Sequence, residues 1–571
     1  MKIKLTKLKE FFFKSPVSDY LLLTLAFYIA LQVLNLCFEP SPSSRLFVSH
    51  IHRIVDAMMF ALPIFILRRK LFLFPYLLVV DLYFLANVWY YRTYLNPMPL
   101  AAFTMVENLD GLWVSIFQSM RLIDLGIFLP IAAFAVYYAI NRTETKRGFS
   151  IICFAAFTVF VCAGWAFPYF TRTGKFNMVS CLNQLSMTRV IQQYGFASYW
   201  YCQIAYTKEC SDADKQFAED MMRQIQSAPA PEPLVAQHNK NLIVILVESL
   251  ATYPIGLEID GVEVTPRLNG FIRDSQTLYF PKVWPCRRDG RSSDAQLLIN
   301  TGLLPIANGA TASLFGENSF YSLPKALKEA GYTSVSCITE DRSVWNQGVT
   351  TMSYGFDCMY DYLCDKQGVR GDEHLFNNSF NIISKLKEPF YSQIVTTSMH
   401  NLLPTDAQTP LDGCKFPNKD IGYHLILTNY TDHHIGCFID KLKASGLYDR
   451  SIIVIVSDHD AYTQNLYDGR KKCEPEDRFI PLLILNSPIK TDTDRVIAQA
   501  DIYPSLLDIM GLENYCFHGL GESVFRGRSD YACSYLGEVG DGGSNAEVRQ
   551  WRNDMWRLSD ILIRTDYFAT H

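Results

Sequence analysis

The sequence predicts an α-helical membrane domain with five spans, followed by an α/β outer domain with a mainly parallel sheet. Two observations predict this fold class. Five apolar stretches occupy the first 170 of the 571 residues, whereas β-branched apolar runs alternate with helical segments from residue 240 onward. The Pro-rich segment Ser227-Ala-Pro-Ala-Pro-Glu-Pro233 lies between the two patterns and is typical of an extended spacer. The predicted parts are therefore a transmembrane domain over 1–170, a helical juxtamembrane linker over 171–237 and an extracytoplasmic domain over 238–571.

The overall composition excludes two classes of protein. Lys and Arg total 52 against 57 Asp and Glu, and the resulting net charge of −5 gives no basis for a nucleic-acid binder, which needs a basic surface. Hydrophobic residues make up 49 % of the chain and charged residues only 19 %, which excludes an intrinsically disordered protein.

The five apolar stretches predict spanning helices. They run roughly over 18–38, 53–67, 71–91, 122–140 and 148–170, and the second is short for a span of about 20 residues. Lysines and arginines concentrate before the first stretch and after the second and fourth, which places the N-terminus in the cytoplasm. Five crossings then put the residues after 170 on the outer side of the cell membrane. Asp81 and Asp124 lie within or beside spans, where carboxylates are candidates for a functional role.

Strands and helices alternate after residue 240. The run 242–247 is continuously apolar, as expected for a strand buried on both faces, and further strands are predicted over 333–338, 391–397, 451–456 and 479–485. Helices are predicted over 322–330, 421–445 and 499–510, each followed by a glycine suited to a helix C-terminus. This alternation predicts a sheet with helices on both faces.

Acidic and imidazole side chains follow three of the predicted strands. Glu248 ends the first run, His400 follows the strand over 391–397, and Asp458 and His459 follow the strand over 451–456. Each residue alone is as well explained by a helix cap or a structural histidine. Because the carboxyl ends of parallel strands meet at one edge of a sheet, we expect the four side chains at a common site. Such oxygen and imidazole ligands predict a divalent metal site suited to Mn²⁺, Mg²⁺ or Zn²⁺.

The segment Gly290-Arg-Ser-Ser-Asp-Ala-Gln296 predicts a Gly-containing loop that leads into a helix. Hydroxyl groups at such a place are often helix caps. The same place is also suited to a nucleophile, because a helix N-terminus favours negative charge and binds phosphate. Metal coordination would lower the pKa of a serine hydroxyl there and generate an alkoxide.

Together these blocks resemble the signature blocks of the lipoteichoic acid synthase-like family, which are membrane-anchored phosphoglycerol transferases of the alkaline phosphatase/sulfatase superfamily. The resemblance rests on Val247-Glu-Ser-Leu250, Gly290-Arg-Ser-Ser-Asp-Ala-Gln296, Thr397-Ser-Met-His400 and Ser457-Asp-His459, in that order along the chain. Five N-terminal spans before an outer domain also fit the family. The resemblance implies an alkaline phosphatase/sulfatase-like fold for the outer domain.

The resemblance also implies roles for individual residues. Glu248, Ser292, Asp458 and His459 would bind one divalent metal ion, with Mn²⁺ favoured. Ser292 stands where the family usually has a threonine nucleophile. His400 matches a substrate-binding histidine near the reacting phosphate, where it would protonate the leaving oxygen or hold the phosphate.

One block departs from the family. Trp345-Asn-Gln347 stands where members typically have Trp-Asn-Arg, whose arginine contacts the phosphate. Gln347 therefore removes a charged donor from the expected place, and Arg291, next to Ser292, is an alternative source of that charge. The expected substrate-binding residues are His400, Trp345, Gln347 and Arg291.

The implied function is metal-dependent transfer of a phosphoglycerol-type head group from an anionic membrane phospholipid, through a covalent Ser292 intermediate, to a hydroxyl of a glycan, lipid or polymer. Cys286-Arg-Arg-Asp-Gly290 does not fit the Cys/Ser-x-Pro/Ala-x-Arg motif that sulfatases need, which disfavours classical sulfatase chemistry. Phosphoethanolamine transferase and sulfatase-like phosphodiesterase or hydrolase activities stay open as alternatives. So does a non-catalytic membrane regulator or lipid-binding protein with this fold, because Gln347 replaces the arginine.

Overall fold

The computed structural model describes residues 16–38, 47–67, 70–94, 97–98, 100, 120–140, 147–171, 187–205, 210–227, 231–235, 239–307, 310–340, 342, 344–365, 371–400, 408–461, 475–526 and 530–570. These residues form two compact units, and the boundary between the two falls between Lys208 and Glu209. We refer to them as the N-terminal unit and the C-terminal unit. The predicted domain boundaries after residues 170 and 237 stay predictions.

The N-terminal unit is helical, as the sequence predicts. Its α-helices are α1 (Pro16–Cys37), α2 (Phe47–Ala61), α3 (Leu73–Tyr94), α4 (Leu129–Ile140), α5 (Arg147–Thr171) and α6 (Met187–Ala205). Three helical segments, Val17–Cys37, Leu73–Arg92 and Leu122–Ala139, are long and apolar enough to cross a membrane, and Ile151–Gly164 is a shorter apolar helix. The described residues therefore contain three to four candidate spans, and the count of five stays a prediction.

Asp81 and Asp124, which the sequence places within or beside predicted spans, both have structural partners. Asp124 forms an ion pair with Arg92, with a distance of 2.7 Å between Oδ1 and Nη2, and it accepts a hydrogen bond from the Arg121 amide at 3.0 Å. Asp81 accepts a hydrogen bond at 3.3 Å from the amide of Ile131, in the first turn of α4. Carboxylates favour such positions because a helix N-terminus leaves its first amides without partners.

Helix α6 is interrupted at Gly195, whose φ of +80° and ψ of 178° are not helical. In a continuous helix the amide of Phe196 would donate to the carbonyl of Gln192. Here Phe196 N donates to Asp56 Oδ2 at 2.6 Å, and the Gln192 carbonyl accepts from Arg53 Nη1 at 3.1 Å. Arg53 and Asp56 are three residues apart on one face of α2, so a single helix supplies partners to the backbone on both sides of the break. A Cβ atom at position 195 would lie 2.3 Å from Asp56 Oδ2, which explains the glycine.

The C-terminal unit is built around one eight-stranded sheet. The strands of this sheet are β1 (Asn241–Val247), β4 (Leu278–Trp284), β5 (Thr333–Cys337), β6 (Cys358–Tyr360), β7 (Phe390–Val395), β8 (Ser451–Ser457), β9 (Ile480–Leu485) and β10 (Ile497–Ala498). Two separate two-stranded sheets are formed by β2 (Glu258–Ile259) with β3 (Val262–Glu263) and by β11 (Ala532–Ser534) with β12 (Gly537–Val539). The sheet has the order β10-β4-β9-β8-β1-β7-β5-β6, and β9 runs antiparallel to both of its neighbours. The predicted, mainly parallel sheet is confirmed.

Helices cover both faces of this sheet. They are α7 (Asp212–Ser227), α8 (Pro266–Ile272), α9 (Ser292–Thr301), α10 (Thr311–Phe315), α11 (Leu323–Glu329), α12 (Gln347–Ser353), α13 (Asp372–Ile383), α14 (Lys419–Ala444), α15 (Ile502–Met510) and α16 (Ala546–Arg564). Alternate residues of β1 enter different cores: Leu242, Val244 and Leu246 pack with α9, α11 and α15, whereas Ile243, Ile245 and Val247 pack with α8, α13 and α14. Burial on both faces accounts for the unbroken apolar run of β1.

The sequence did not predict β4, which lies inside the sheet between β10 and β9. Its sequence includes Pro281 and Lys282, and a proline has no amide hydrogen to donate to a neighbouring strand. The pairing of β4 with β9 shifts register between Phe280 and Val283, so Pro281 falls at an irregularity where a ladder hydrogen bond is not required.

Candidate active site

The order of the strands brings the polar strand ends together. Strand β1 lies between β8 and β7 and is parallel to both, so Glu248, Asp458 and the turn that carries His400 emerge at the same edge of the sheet. Two hydrogen bonds join the end of β1 to the segments that follow β8 and β7. The Ser249 amide donates to Asp458 Oδ1 at 2.8 Å, and the Glu248 amide donates to Thr396 Oγ1 at 3.0 Å.

Glu248, Asp458 and His459 form a group able to hold a metal ion. One ligand atom from each of these buried residues lies within 4.8 Å of the others. His459 Nε2 is 3.5 Å from Glu248 Oε1 and 3.4 Å from Asp458 Oδ2. Asp458 Oδ2 is buried, and no residue in the described part of the chain donates to it with normal hydrogen-bond geometry. A buried carboxylate oxygen without a donor fits a cation ligand, so these residues suit a divalent ion.

The orientation of the His459 ring supports the same assignment. His459 Nδ1 lies 3.0 Å from the carbonyl oxygen of Asp460, which can only accept, so the ring proton is on Nδ1. The lone pair of Nε2 then faces the two carboxylates, as in a metal-bound imidazole. Burial lowers the pKa of His459 to about 4, so the ring is neutral at physiological pH.

The two carboxylates have opposite pKa shifts. Burial raises the pKa of Asp458, and the neighbouring charge of Glu248 raises it further. Burial also tends to raise the pKa of Glu248, but in acid the positive charges of protonated His459 and His400, with the Ser249 hydroxyl, outweigh it and hold the pKa below the ordinary range. Two acids that cannot both ionise without a cation between them are typical of a metal site.

Ser292 is the first residue of α9, and its side chain points into this group. Ser292 Oγ donates to Glu248 Oε2 at 3.2 Å. The loop before it is shaped by Asp294, which accepts from the amides of Arg288 at 2.7 Å and Gly290 at 3.0 Å. A Cβ atom at position 290 would lie 2.3 Å from Asp294 Oδ1, so only glycine fits there. Arg291 has a φ of +51°, a strained conformation of the kind that clusters at functional sites.

His400 lies on the open side of the group. Its Nδ1 is 3.6 Å from Glu248 Oε1, and its side chain is 34 % exposed, whereas those of Asp458 and His459 are fully buried. The turn that carries it is held by the buried Asp372, which accepts from the amides of Thr397 at 2.9 Å and Ser398 at 3.0 Å. Burial opposes protonation of His400, but Glu248 outweighs burial and raises the histidine pKa. A raised pKa and partial exposure suit a group that delivers a proton.

The three remaining predicted residues are Arg291, Trp345 and Gln347. Arg291 is buried, and its charge tends to lower the pKa of both His400 and His459, which places the guanidinium within electrostatic range of the site. Trp345 is half-buried with a φ of +52°, and Gln347 is buried at the start of α12. Gln347 Oε1 accepts from Gln296 Nε2 at 3.0 Å, and Gln296 is four residues after Ser292 on α9.

Sequence reasoning missed a buried ion-pair cluster behind His459. Asp460 Oδ1 accepts from Arg287 Nε at 2.7 Å, with both side chains fully buried, and Asp460 Oδ2 lies 2.8 Å from Arg478 Nη1. Because the Asp460 carbonyl also fixes the His459 ring, this cluster holds a candidate metal ligand in its orientation. The triplet Asp458-His459-Asp460 signalled it, but nothing in the sequence indicates that Arg287 is the partner.

His424 supports the other side of the site. Its Nε2 is 3.3 Å from the Ser249 carbonyl and its Nδ1 is 2.7 Å from the Tyr253 hydroxyl, so a neutral ring donates to Ser249 and accepts from Tyr253. Burial lowers the pKa of His424 to about 4. Sequence spacing placed it in a helix but gave no sign of this contact.

Acidification is expected to destabilise the C-terminal unit through His424. Between pH 6.5 and about 4 the unfolded chain protonates this histidine while the folded chain does not, so stability falls as the pH falls across that window. The loss is at most about 1.4 kcal/mol per pH unit for one group. Thermal unfolding of the full-length protein at pH 7.5 to 5 should show a smaller acid shift for His424→Gln, whose amide donates to Ser249 but does not titrate. Parallel pH curves for the two proteins would contradict this assignment.

Comparisons with known proteins agree with the geometry. Two family models match the sequence, Lipoteichoic acid synthase N-terminal domain over residues 1–186 and Sulfatase over residues 240–512. The chain is 26 % identical over 456 residues to Lipoteichoic acid synthase 2 of Bacillus subtilis (strain 168), covering 75 % of this chain and 70 % of that protein. It is 26 % identical over 501 residues to a Lipoteichoic acid synthase of Staphylococcus saprophyticus, covering 81 % of this chain and 76 % of that protein.

A solved structure shares the fold. A protein in the alkaline phosphatase superfamily from Vibrio parahaemolyticus aligns with a TM-score of 0.50 and 20 % identity, covering 62 % of this chain and 97 % of that one. The superfamily fold predicted from the motif blocks is thereby confirmed. The chain thus has a Lipoteichoic acid synthase N-terminal domain and a Sulfatase domain, and it is similar over most of its length to lipoteichoic acid synthases of the alkaline phosphatase/sulfatase superfamily.

Proposed function

We propose that this phosphotransferase moves a phosphoglycerol-type head group from an anionic membrane phospholipid to a hydroxyl of a glycan, lipid or polymer. Its relatives are lipoteichoic acid synthases, which supports phosphoglycerol as the transferred group. The apolar N-terminal helices support a membrane-bound donor, since a diacyl lipid is confined to the bilayer. In this proposal the C-terminal unit faces the outer side of the membrane and the N-terminus is cytoplasmic.

Each residue of the site has a separate role in this proposal. Glu248, Asp458 and His459, together with the Ser292 oxygen, would hold one divalent ion, with Mn²⁺ preferred over Mg²⁺ or Zn²⁺. When bound, that ion supplies positive charge that favours the ionised serine and the developing phosphoryl charge. Arg291 adds a fixed positive charge beside the nucleophile.

Transfer proceeds in two balanced steps. In the first, the ionised Ser292 Oγ attacks the phosphorus of the lipid phosphodiester, the bond from phosphorus to the diacylglycerol oxygen breaks, and protonated His400 gives that oxygen its proton. In the second, the acceptor hydroxyl gives its proton to neutral His400 and attacks the phosphorus, which releases Ser292 as the same oxyanion. Both steps pass through a phosphodiester on Ser292, so no net water is consumed when an acceptor is present.

One observation supports this proposal above the others: the Ser292 hydroxyl, at the N-terminus of α9, donates to the same carboxylate that helps form the metal-binding group. A serine placed there for capping alone would bond to a nearby backbone amide. The neighbouring Ser293 has a backbone partner instead, because its hydroxyl donates to the Gly290 carbonyl at 2.6 Å.

The test uses the full-length protein in lipid vesicles that contain phosphatidylglycerol with a fluorescent acyl chain, with Mn²⁺ added. We expect fluorescent diacylglycerol to be released and glycerol phosphate to appear on an acceptor, as read by mass spectrometry. Release from phosphatidylethanolamine instead would indicate a phosphoethanolamine transferase, and free glycerol phosphate as the sole product would indicate a hydrolase. No release from either lipid, with metal bound, would leave a non-catalytic role.

A further inference from the structure

A chain of buried amide side chains runs from the middle of the sheet to the site. Its members are Tyr391, Asn300, Gln393, Gln296 and Gln347, all at most 5 % exposed. Tyr391 OH is 3.0 Å from Asn300 Oδ1, and Asn300 Nδ2 is 2.7 Å from Gln393 Oε1. Gln393 Nε2 is 3.2 Å from Gln296 Oε1, and Gln296 Nε2 is 3.0 Å from Gln347 Oε1. We call these five side chains the amide relay.

The direction of the amide relay is fixed by one backbone group. The carbonyl oxygen of Gln296 lies 2.8 Å from the Asn300 amide, and because a carbonyl can only accept, the Asn300 atom facing it must be Nδ2. The same Nδ2 also reaches Gln393, so Gln393 must accept there and donate from its other end. The same reasoning then requires Gln296 to accept from Gln393 and to donate to Gln347.

The last link decides what Gln347 presents. Its Oε1 is used by Gln296, and no hydrogen bond from its Nε2 to another of the described residues is present. Gln296 is one turn along α9 from Ser292, about 6 Å along the axis, and helical side chains lean toward the N-terminus, here toward Ser292. The amide relay therefore ends beside the nucleophile.

We infer that Gln347 is a fixed, uncharged N–H donor to a phosphoryl oxygen of the substrate, and that Asn300, Gln393 and Gln296 are positioning residues that keep its donor end outward. This inference rests on the proposed function and specifies how the site binds its phosphodiester. Each amide donates and accepts in turn, and such chains strengthen their members in a buried setting. If the Gln347 amide were reversed, its carbonyl oxygen would face the phosphate and the hydrogen bond from Gln296 would be lost.

The variant Gln393→Glu tests this direction. A carboxylate cannot donate, and it has three donors available, from Asn300, Ser336 and a reversed Gln296, which favour its ionised form. Gln296 would then reverse to donate to it, and Gln347 would reverse in turn and present Oε1. We expect kcat/KM for diacylglycerol release from fluorescent phosphatidylglycerol to fall about ten- to hundredfold, the effect of one hydrogen bond to a charged group.

A double-mutant cycle separates orientation from general damage. In a Gln347→Leu background there is no donor to reverse, so Gln393→Glu should cost less than about twofold. Equal losses in both backgrounds would overturn the inference. Ser336→Ala is the matched control, because Ser336 is a side branch 3.4 Å from Gln393 Nε2 and sets no direction, and it should leave kcat/KM unchanged.

Two further measurements keep the result decisive. If Gln393→Glu does not fold, Gln296→Glu reverses only Gln347 and enters the same cycle. The cycle is also measured as the Kd for glycerophosphoglycerol, a soluble phosphodiester, which needs no turnover. If the two substitutions are coupled in Kd but the unaltered protein shows no turnover, the proposed function is refuted and the amide relay is supported. If the protein turns over and the losses from the two substitutions are additive, the amide relay alone is refuted.

Discussion

Replacing Ser292 by alanine is expected to abolish release of fluorescent diacylglycerol from phosphatidylglycerol, by about 10³-fold or more. The reason is that the variant has no oxygen to form the phosphodiester intermediate, while Glu248, Asp458 and His459 stay in place. The assay is the vesicle assay with the full-length protein, and trapping of a glycerol phosphate adduct by mass spectrometry of the intact chain provides the second measurement.

Two matched variants make the Ser292 result specific. Ser293→Ala removes the adjacent hydroxyl, which bonds to the Gly290 carbonyl and not to the metal group, and it should retain most activity. Ser292→Thr keeps a hydroxyl at the same Cβ and should also be active. Turnover by Ser292→Ala at the rate of the unaltered protein would remove this residue from the mechanism.

Asp458→Asn is expected to lose the bound divalent ion and about 10³-fold in turnover. The amide retains the shape of the side chain, but it has no charge and offers only one oxygen, whereas Asp458 uses Oδ1 for the amides of Ser249 and His459 and leaves Oδ2 for the ion. Losing a charged ligand removes several kcal/mol of charge stabilisation. Metal content of the purified protein and the rise in unfolding temperature on adding Mn²⁺ measure the loss.

The control for Asp458 is another buried acid of the C-terminal unit. Asp432 accepts from the amides of Arg267 at 3.0 Å and Leu268 at 2.8 Å, and so caps α8. Asp432→Asn should lower the unfolding temperature but keep one bound ion per chain. An Asp458→Asn protein that still binds the ion and is stabilised by it as strongly as the unaltered protein would place the metal elsewhere.

The residues at strand ends were predictable from the sequence because the apolar run just before each of them marks where the strand ends. The apolar runs of β1 and β8 define where each strand ends, and parallel pairing then brings Glu248 and Asp458 to one edge. The helix start at Ser292 was predictable for the same reason, from the glycine and polar residues just before it. Strand β4 was missed because Pro281 argues against an inner strand, and only the shifted register with β9 accommodates it.

The supporting shell was not predictable, since it depends on partners far apart along the chain. Arg287 and Asp460 are separated by 173 positions, and Gln296 and Gln393 by 97. No periodicity marks such pairs, because each partner satisfies only one polar group and leaves the strand and helix patterns unchanged. From the sequence, the glutamine at position 347 in place of an arginine indicated a lost phosphate contact. In the structure, the hydrogen bond to Gln296 gives the Gln347 side chain a defined orientation.

The interrupted helix α6 has a practical consequence for anyone dividing the protein. Arg53 and Asp56 are buried in the helical N-terminal unit, and each has a backbone partner in α6, the carbonyl of residue 192 and the amide of residue 196. Truncation after residue 170 would remove α6 and with it these backbone partners of two buried charged side chains, which is expected to destabilise the fragment. A membrane fragment that ends after Lys208 retains the backbone partners of both side chains and is therefore the fragment to express.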